Sequence, residues 1–136
     1  MPSVLVIDDE QAIRESIRQV LDRAGFEVAT ADNGITGIEG YFEHPADVVI
    51  VDIIMPRSDG IAVITKIRAS CPNARIIAMT GGGNFWPVGY QPNTLVTDAY
   101  LTLASKSGAN VVMKKPFRRQ DLLETVRGLV DSDERA

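Results

Sequence analysis

Several things that usually announce a function are scarce in this chain. Its 136 residues include one cysteine, Cys71, and one histidine, His44. A single cysteine excludes an internal disulfide and fits a reducing compartment. Cys71 ends a helical pattern with no histidine near it in sequence, so it reads as a packing residue. His44 precedes Pro45 in a loop without partner residues, which makes it a poor metal ligand or catalytic base. No apolar run approaches the roughly 18 residues that a membrane span needs. The opening "MPSVLVIDDE" enters a strand at once and lacks signal-peptide architecture. Net charge is −4, and no basic block interrupts it beyond "KKPFRR" at 114–119. That cluster reads as solvated Lys and Arg around a helix start, which argues against nucleic-acid binding by this chain alone. The expectation is a cytoplasmic domain that touches neither membrane nor nucleic acid.

What the chain does have is apolar pattern. A hydrophobic content of 45% supports a real core, and the length suits one domain over 1–136 without internal repeats. Continuous β-branched runs alternate with helical spacing. "SVLVI" (3–7) is a strand, followed by a helix with Ile13, Ile17, Val20, Leu21 and Ala24 on one face and Gly25 as its stop. "FEVATA" (26–31) predicts a weaker strand at an edge. "GITGIEGYFEH" (34–44) predicts a helix, with Ile35, Ile38 and Phe42 at the spacing of one helical face. "DVVIVDIIMP" (47–56) carries a strand buried on both faces that runs straight into Asp52. After the turn "PRSDG" come a helix over 61–71, the strand "ARIIAMT" (74–80), a Gly-, Pro- and Asn-rich stretch, a helix over 96–108, the strand "NVVMK" and a helix over 118–130. The tail "DSDERA" reads as frayed surface chain. Five strands alternating with five helices indicate an α/β fold, a doubly wound parallel sheet covered on both faces.

In such a sheet the carboxyl ends of the strands lie together, and residues distant in sequence converge there. Reading them off gives Asp8 and Asp9 after the first strand, Asp52 after the third, Thr80 after the fourth and Lys115 after the fifth. Three neighbouring carboxylates repel one another unless a cation intervenes, and an oxygen-only set suits a hard ion such as Mg²⁺. A lysine and a hydroxyl beside them match the oxygens of a phosphoryl group. A carboxylate can itself be the nucleophile, giving an aspartyl-phosphate. The plainer reading of Asp8 and Asp9 is as caps of the first helix, and Asp59 in "RSDG" reads as a turn or cap residue.

The ordered motifs "VLVIDDE", "VVIVDIIMPRSDG", "IIAMTG" and "VMKKPF" resemble the receiver domain of two-component response regulators, over residues 3 to about 130. In length the chain is similar to the single-domain, chemotaxis-type members. The resemblance implies a flavodoxin-like sheet of order 2-1-3-4-5. It implies Asp52 as phosphoacceptor, Asp9 as direct Mg²⁺ ligand, Asp8 acting through a water, and the Ile54 backbone carbonyl as a further ligand. Thr80 and Lys115 would engage the phosphoryl group, with Gly81 keeping the rim open. The implied partners are a histidine kinase or histidine phosphotransfer protein, an output protein, and a second copy of the chain in a phosphorylation-linked homodimer.

Two positions depart from that pattern. Val112 stands where the family has an aromatic that changes rotamer on activation. The stretch from Thr80 to Gly108 is about a dozen residues longer than the family habit, with an extended loop at about 81–95 that carries Phe85, Trp86 and Tyr90. These aromatics either cover a local core or form a partner surface. Three other functions compete. A hydrolase working through an aspartyl-phosphate would carry D-x-D after the first strand, where this chain has Asp8-Asp9-Glu10. A flavodoxin-like cofactor carrier would need a Ser/Thr-rich phosphate loop there. A pseudo-receiver binding module would not need the intact set of five rim residues.

Overall fold

The computed structural model describes residues 2–55, 58–80, 102–114 and 117–134. In chain order they form β1 (Ser3–Ile7), α1 (Gln11–Arg23), β2 (Glu27–Ala31), α2 (Gly34–Glu43), β3 (Val48–Asp52), α3 (Gly60–Ser70), β4 (Ile76–Thr80), α4 (102–107), β5 (Val111–Lys114) and α5 (Arg119–Glu134). The five strands are all parallel, in the order β2-β1-β3-β4-β5. This is the expected flavodoxin-like arrangement, with "FEVATA" at an edge. Between β3 and α3 the chain adds a feature that the sequence presented only as a turn. Ile54 and Met55 pair antiparallel with Ser58 and Asp59.

Alternation within each strand divides the core in two. Leu5, Ile7, Val49, Val51, Ile76 and Ala78 face Tyr41 of α2, Val63, Ile64 and Ile67 of α3, and Ala104 of α4. Val4, Val6, Val48, Ile50, Ile77 and Met79 face Ile17 and Leu21 of α1 and Leu122 and Val126 of α5. Central strands buried on both sides need this unbroken apolar composition. Each fully buried Ile, Leu or Val favours the folded state by about 1.5–3 kcal/mol before conformational entropy is set against it. Reciprocal bonds from Ser3 N–H to Asp47 Oδ2 (2.7 Å) and from Asp47 N–H to Ser3 Oγ (3.2 Å) align the starts of β1 and β3.

Two expectations are corrected. In α2 the buried face is Gly34, Gly37 and Tyr41, whereas Ile35 is 71% and Phe42 41% exposed. The helix lies so close to β1 that a Cβ at Gly37 would come within 2.5 Å of Ile7 Cδ1. Without a side chain at Gly37 the helix rests on the Ile7 side chain, and this orientation turns Ile35 and Phe42 outward. The tail expected to fray is also helical as far as Glu134, since α5 continues into it.

Candidate functional site

β1 and β3 are neighbours, yet the chain leaves β1 for β2 on one side and enters β3 on the other. That reversal opens the crevice at the carboxyl ends of the two strands. Asp8 and Asp9 follow β1, and Asp52 is the last residue of β3. Asp8 and Asp52 are fully buried and Asp9 is half-buried. One carboxylate oxygen from each lies within 4.8 Å of the others. The plainer reading of Asp8 and Asp9 as helix caps does not fit the N-cap position. Glu10 is the N-cap of α1, without a side-chain bond, and Asp8 Oδ1 accepts from the Glu10 N–H at 2.9 Å in a local turn. Asp59 does cap, accepting from the N–H groups of Ile61 and Ala62 at the start of α3.

Backbone contacts hold the cluster in place. The Asp8 N–H donates to Ala31 O at 3.1 Å, and the Ile53 N–H donates to Met79 O at 2.9 Å, so both acid-bearing segments remain tied to the sheet. Asp52 Oδ1 accepts from the Ile54 N–H at 2.9 Å. This bond fixes the Asp52 rotamer and keeps the Ile54 backbone beside the acids. Thr80, 2% exposed, ends β4 next to β3, and its Oγ1 is buried without a hydrogen bond among the described residues. A buried hydroxyl without a partner costs stability, so it is a candidate for contact with something the resting site lacks. Thr80 pairs in register with Lys114, which is exposed. Val112, at the variant switch position, lies on β5 and is 36% exposed. Lys115, Gly81, Phe85, Trp86 and Tyr90 fall outside the described residues, as does the 81–95 loop.

Two supporting residues escaped the sequence reading. Arg14 reaches back from α1, donating from Nη1 to the Asp8 carbonyl at 2.7 Å, and so braces the turn that carries both acids. Gly60 opens α3 flat against β3. A Cβ there would collide with the Asp52 carbonyl oxygen and the Ile53 Cα, and would stand 2.9 Å from the Asp52 carbonyl carbon. The "DG" at 59–60 was visible as a turn signal. Its second role, admitting the helix onto the Asp52 backbone, could be found only from packing.

Three buried or half-buried acids at the switch point of a doubly wound sheet, with a hydroxyl on the next strand, define an oxygen-ligand centre able to hold a metal ion. Comparison with known proteins makes the class specific. The response regulator receiver domain family matches residues 4–86. The chain is 35% identical over 124 residues to the chemotaxis protein CheY of Bacillus subtilis (strain 168), covering 90% of this chain and 92% of that one. It is 32% identical to the DNA-binding transcriptional regulator NtrC of Azospirillum brasilense, covering 96% of this chain but only 24% of that protein. The crystal structure of a response regulator receiver domain protein from Clostridium thermocellum superposes with a TM-score of 0.82 at 29% identity, over 98% of both chains. The chain belongs to the response regulator receiver domain family. It is a phosphorylation-controlled signalling switch, and domains of this family interact with histidine kinases and output domains. No helix among the described residues is long and apolar enough to cross a membrane.

Proposed function

We propose that Asp52 is the residue that accepts the phosphoryl group, from a histidine kinase or histidine phosphotransfer protein in the cytoplasm. The observation that carries this reading is the burial of Asp52 at the end of β3, with carboxylate oxygens of Asp8 and Asp9 within 4.8 Å of its own. An Asp52 oxygen forms the new P–O bond as the P–N bond of the donor phosphohistidine breaks and the imidazole leaves. Mg²⁺ is the ion that the donor set suits, since all its members are hard oxygen ligands. Asp9, Asp52 and the Ile54 carbonyl would hold it, with Asp8 behind them. When bound, it neutralises negative charge on the acids and the incoming phosphoryl oxygens. The Thr80 hydroxyl donates to a phosphoryl oxygen, which gives its buried Oγ1 a partner, and Lys115 pairs with the product's charge.

The chain catalyses only its own phosphorylation and dephosphorylation. Residues 1–136 form one receiver unit, and the 81–95 loop, which starts beside Thr80, couples occupancy of Asp52 to an output protein or a second copy of the chain. Val112 cannot act as an aromatic switch, which leaves that task to the loop and its Phe85, Trp86 and Tyr90. Intact-mass measurement after treatment with Mg²⁺ and acetyl phosphate tests the reading. Wild type gains the mass of one phosphoryl group, and Asp52→Asn or wild type in EDTA gains none. Equal incorporation in wild type and Asp52→Asn would overturn it.

A further inference from the structure

On the face of the sheet remote from α2 and α3, α1 and α5 lie side by side. The groove between them encloses about 280 Å³ and is lined by Ser16, Gln19, Val20, Arg23, Ala24, Arg119, Leu123 and Arg127. None of these residues belongs to the acid cluster. Three arginines line the groove and no acidic residue does, in a chain whose net charge is −4. Asp22 lies 3.9 Å from Arg18 and Glu124 accepts from Gln120 Nε2 at 3.0 Å, while Asp121, in the first turn of α5, does not line the groove. Among the described residues, Arg23, Arg119 and Arg127 form no ion pair.

Such a cluster is unfavourable on its own. Like charges in one groove repel. Arg119 is also the first residue of the 16-residue α5, where the helix dipole opposes a cation. The same arrangement becomes favourable once an anion enters, because α5's opening N–H groups and the three forks then act together. Guanidinium forks match phosphate oxygens two at a time, and their planes stack on flat rings. Half-buried Val20, Ala24 and Leu123 form an apolar floor, with the Ser16 hydroxyl and Gln19 amide at its edge.

We infer that the α1–α5 groove binds a small organic phosphate, a phosphate ester whose flat or apolar body rests on Val20 and Leu123 while Arg23, Arg119 and Arg127 hold the phosphate. The volume is near the lower end for small-molecule sites, which fits one phosphate with one ring system. The inference does not depend on which residue accepts the phosphoryl group.

Amide NMR titration of the full chain in EDTA tests it, since removing divalent ions keeps phosphates from the acid cluster. Phenyl phosphate should give saturable shifts centred on Ser16, Gln19, Arg23 and Arg127, with a Kd of about 1 mM or tighter, and inorganic phosphate and phenol should each bind roughly tenfold more weakly. The double variant Arg119→Gln/Arg127→Gln should weaken phenyl phosphate roughly tenfold. Arg119→Lys/Arg127→Lys should weaken it too, because an ammonium keeps the charge but loses the fork. Both variants should take a phosphoryl group from acetyl phosphate at the wild-type rate. Shifts that stay linear without saturation, shifts centred elsewhere, equal affinity for phenyl and inorganic phosphate, or variants that bind like wild type would each overturn the inference.

Discussion

Gly60→Ala adds one methyl group at the contact between α3 and the Asp52 backbone. The new Cβ meets the Asp52 carbonyl oxygen, the Ile53 Cα and the Asp52 carbonyl carbon, all of them backbone atoms of a central strand. A flexible side chain could swing aside, but a strand hydrogen-bonded on both edges cannot, so α3 must move outward. Overpacking of this kind costs about 1–3 kcal/mol. Alanine's better helix propensity offsets at most about 1 kcal/mol of that, and less at the first helical position. The urea midpoint should fall by roughly 1 M or somewhat less. Displacing α3 also strains Asp59, Ile54 and the carboxylate hydrogen-bonded to the Ile54 N–H, so phosphorylation by acetyl phosphate should slow by roughly tenfold or more. Gly40→Ala and Gly128→Ala are the controls. Both are helical glycines with nothing within 4 Å of the added Cβ. Each should gain about 0.5–1 kcal/mol and keep the wild-type rate. A Gly60→Ala protein with an unchanged midpoint and rate would refute the packing argument.

Asp9→Ala should weaken Mg²⁺ binding in a calorimetric titration, and affinity equal to wild type would remove Asp9 from the metal set. Ile54 is apolar where a polar side chain could orient attacking water, so the phosphoryl form should be long-lived and should decay faster in Ile54→Glu. Slower decay in that variant contradicts the reasoning. Asn110 Oδ1 accepts from both the Ile76 N–H and Arg68 Nη2, at 2.8 and 2.7 Å. Asn110→Ala strands a partly buried N–H and should cost about 1–3 kcal/mol in denaturant unfolding. Burial, reinforced by a hydrogen bond to Cys71, pushes the Tyr41 phenol up to about 12. Its folded-state value exceeds the unfolded one, so the stability it contributes is present below pH 10 and is lost as pH rises toward about 12. Tyr41→Phe should lose that component of the alkaline decline, as seen in unfolding midpoints across the interval.

The sheet and the convergence of Asp8, Asp9 and Asp52 were legible because both follow from strand runs and from where parallel strands end. Apolar segments rich in β-branched residues marked β1, β3 and β4, and the acids stood just after β1 and at the end of β3. The inward face of α2 was not legible in the same way. Periodicity assigns the largest side chains to the core, but Gly37 faces inward because the helix there sits against the Ile7 side chain, where a Cβ would not fit. Gly60 was hidden for a related reason, since a turn and a close approach both call for glycine and sequence shows only the residue. The pairing of Ile54 and Met55 with Ser58 and Asp59 is too short for any apolar period. The groove between α1 and α5 arises from arginines more than 90 residues apart, and charge counting along the chain does not bring them together.

The central claim, that Asp52 carries the phosphoryl group, is tested most directly by locating the modification. The Mg²⁺- and acetyl phosphate-treated protein is reduced with borohydride, which converts an acyl phosphate on aspartate to homoserine, and is then sequenced by tandem mass spectrometry. The expected result is homoserine at position 52 alone, lost when EDTA replaces Mg²⁺. Homoserine at position 8 or 9, or at no position in a protein that has gained the phosphoryl mass, would contradict the account.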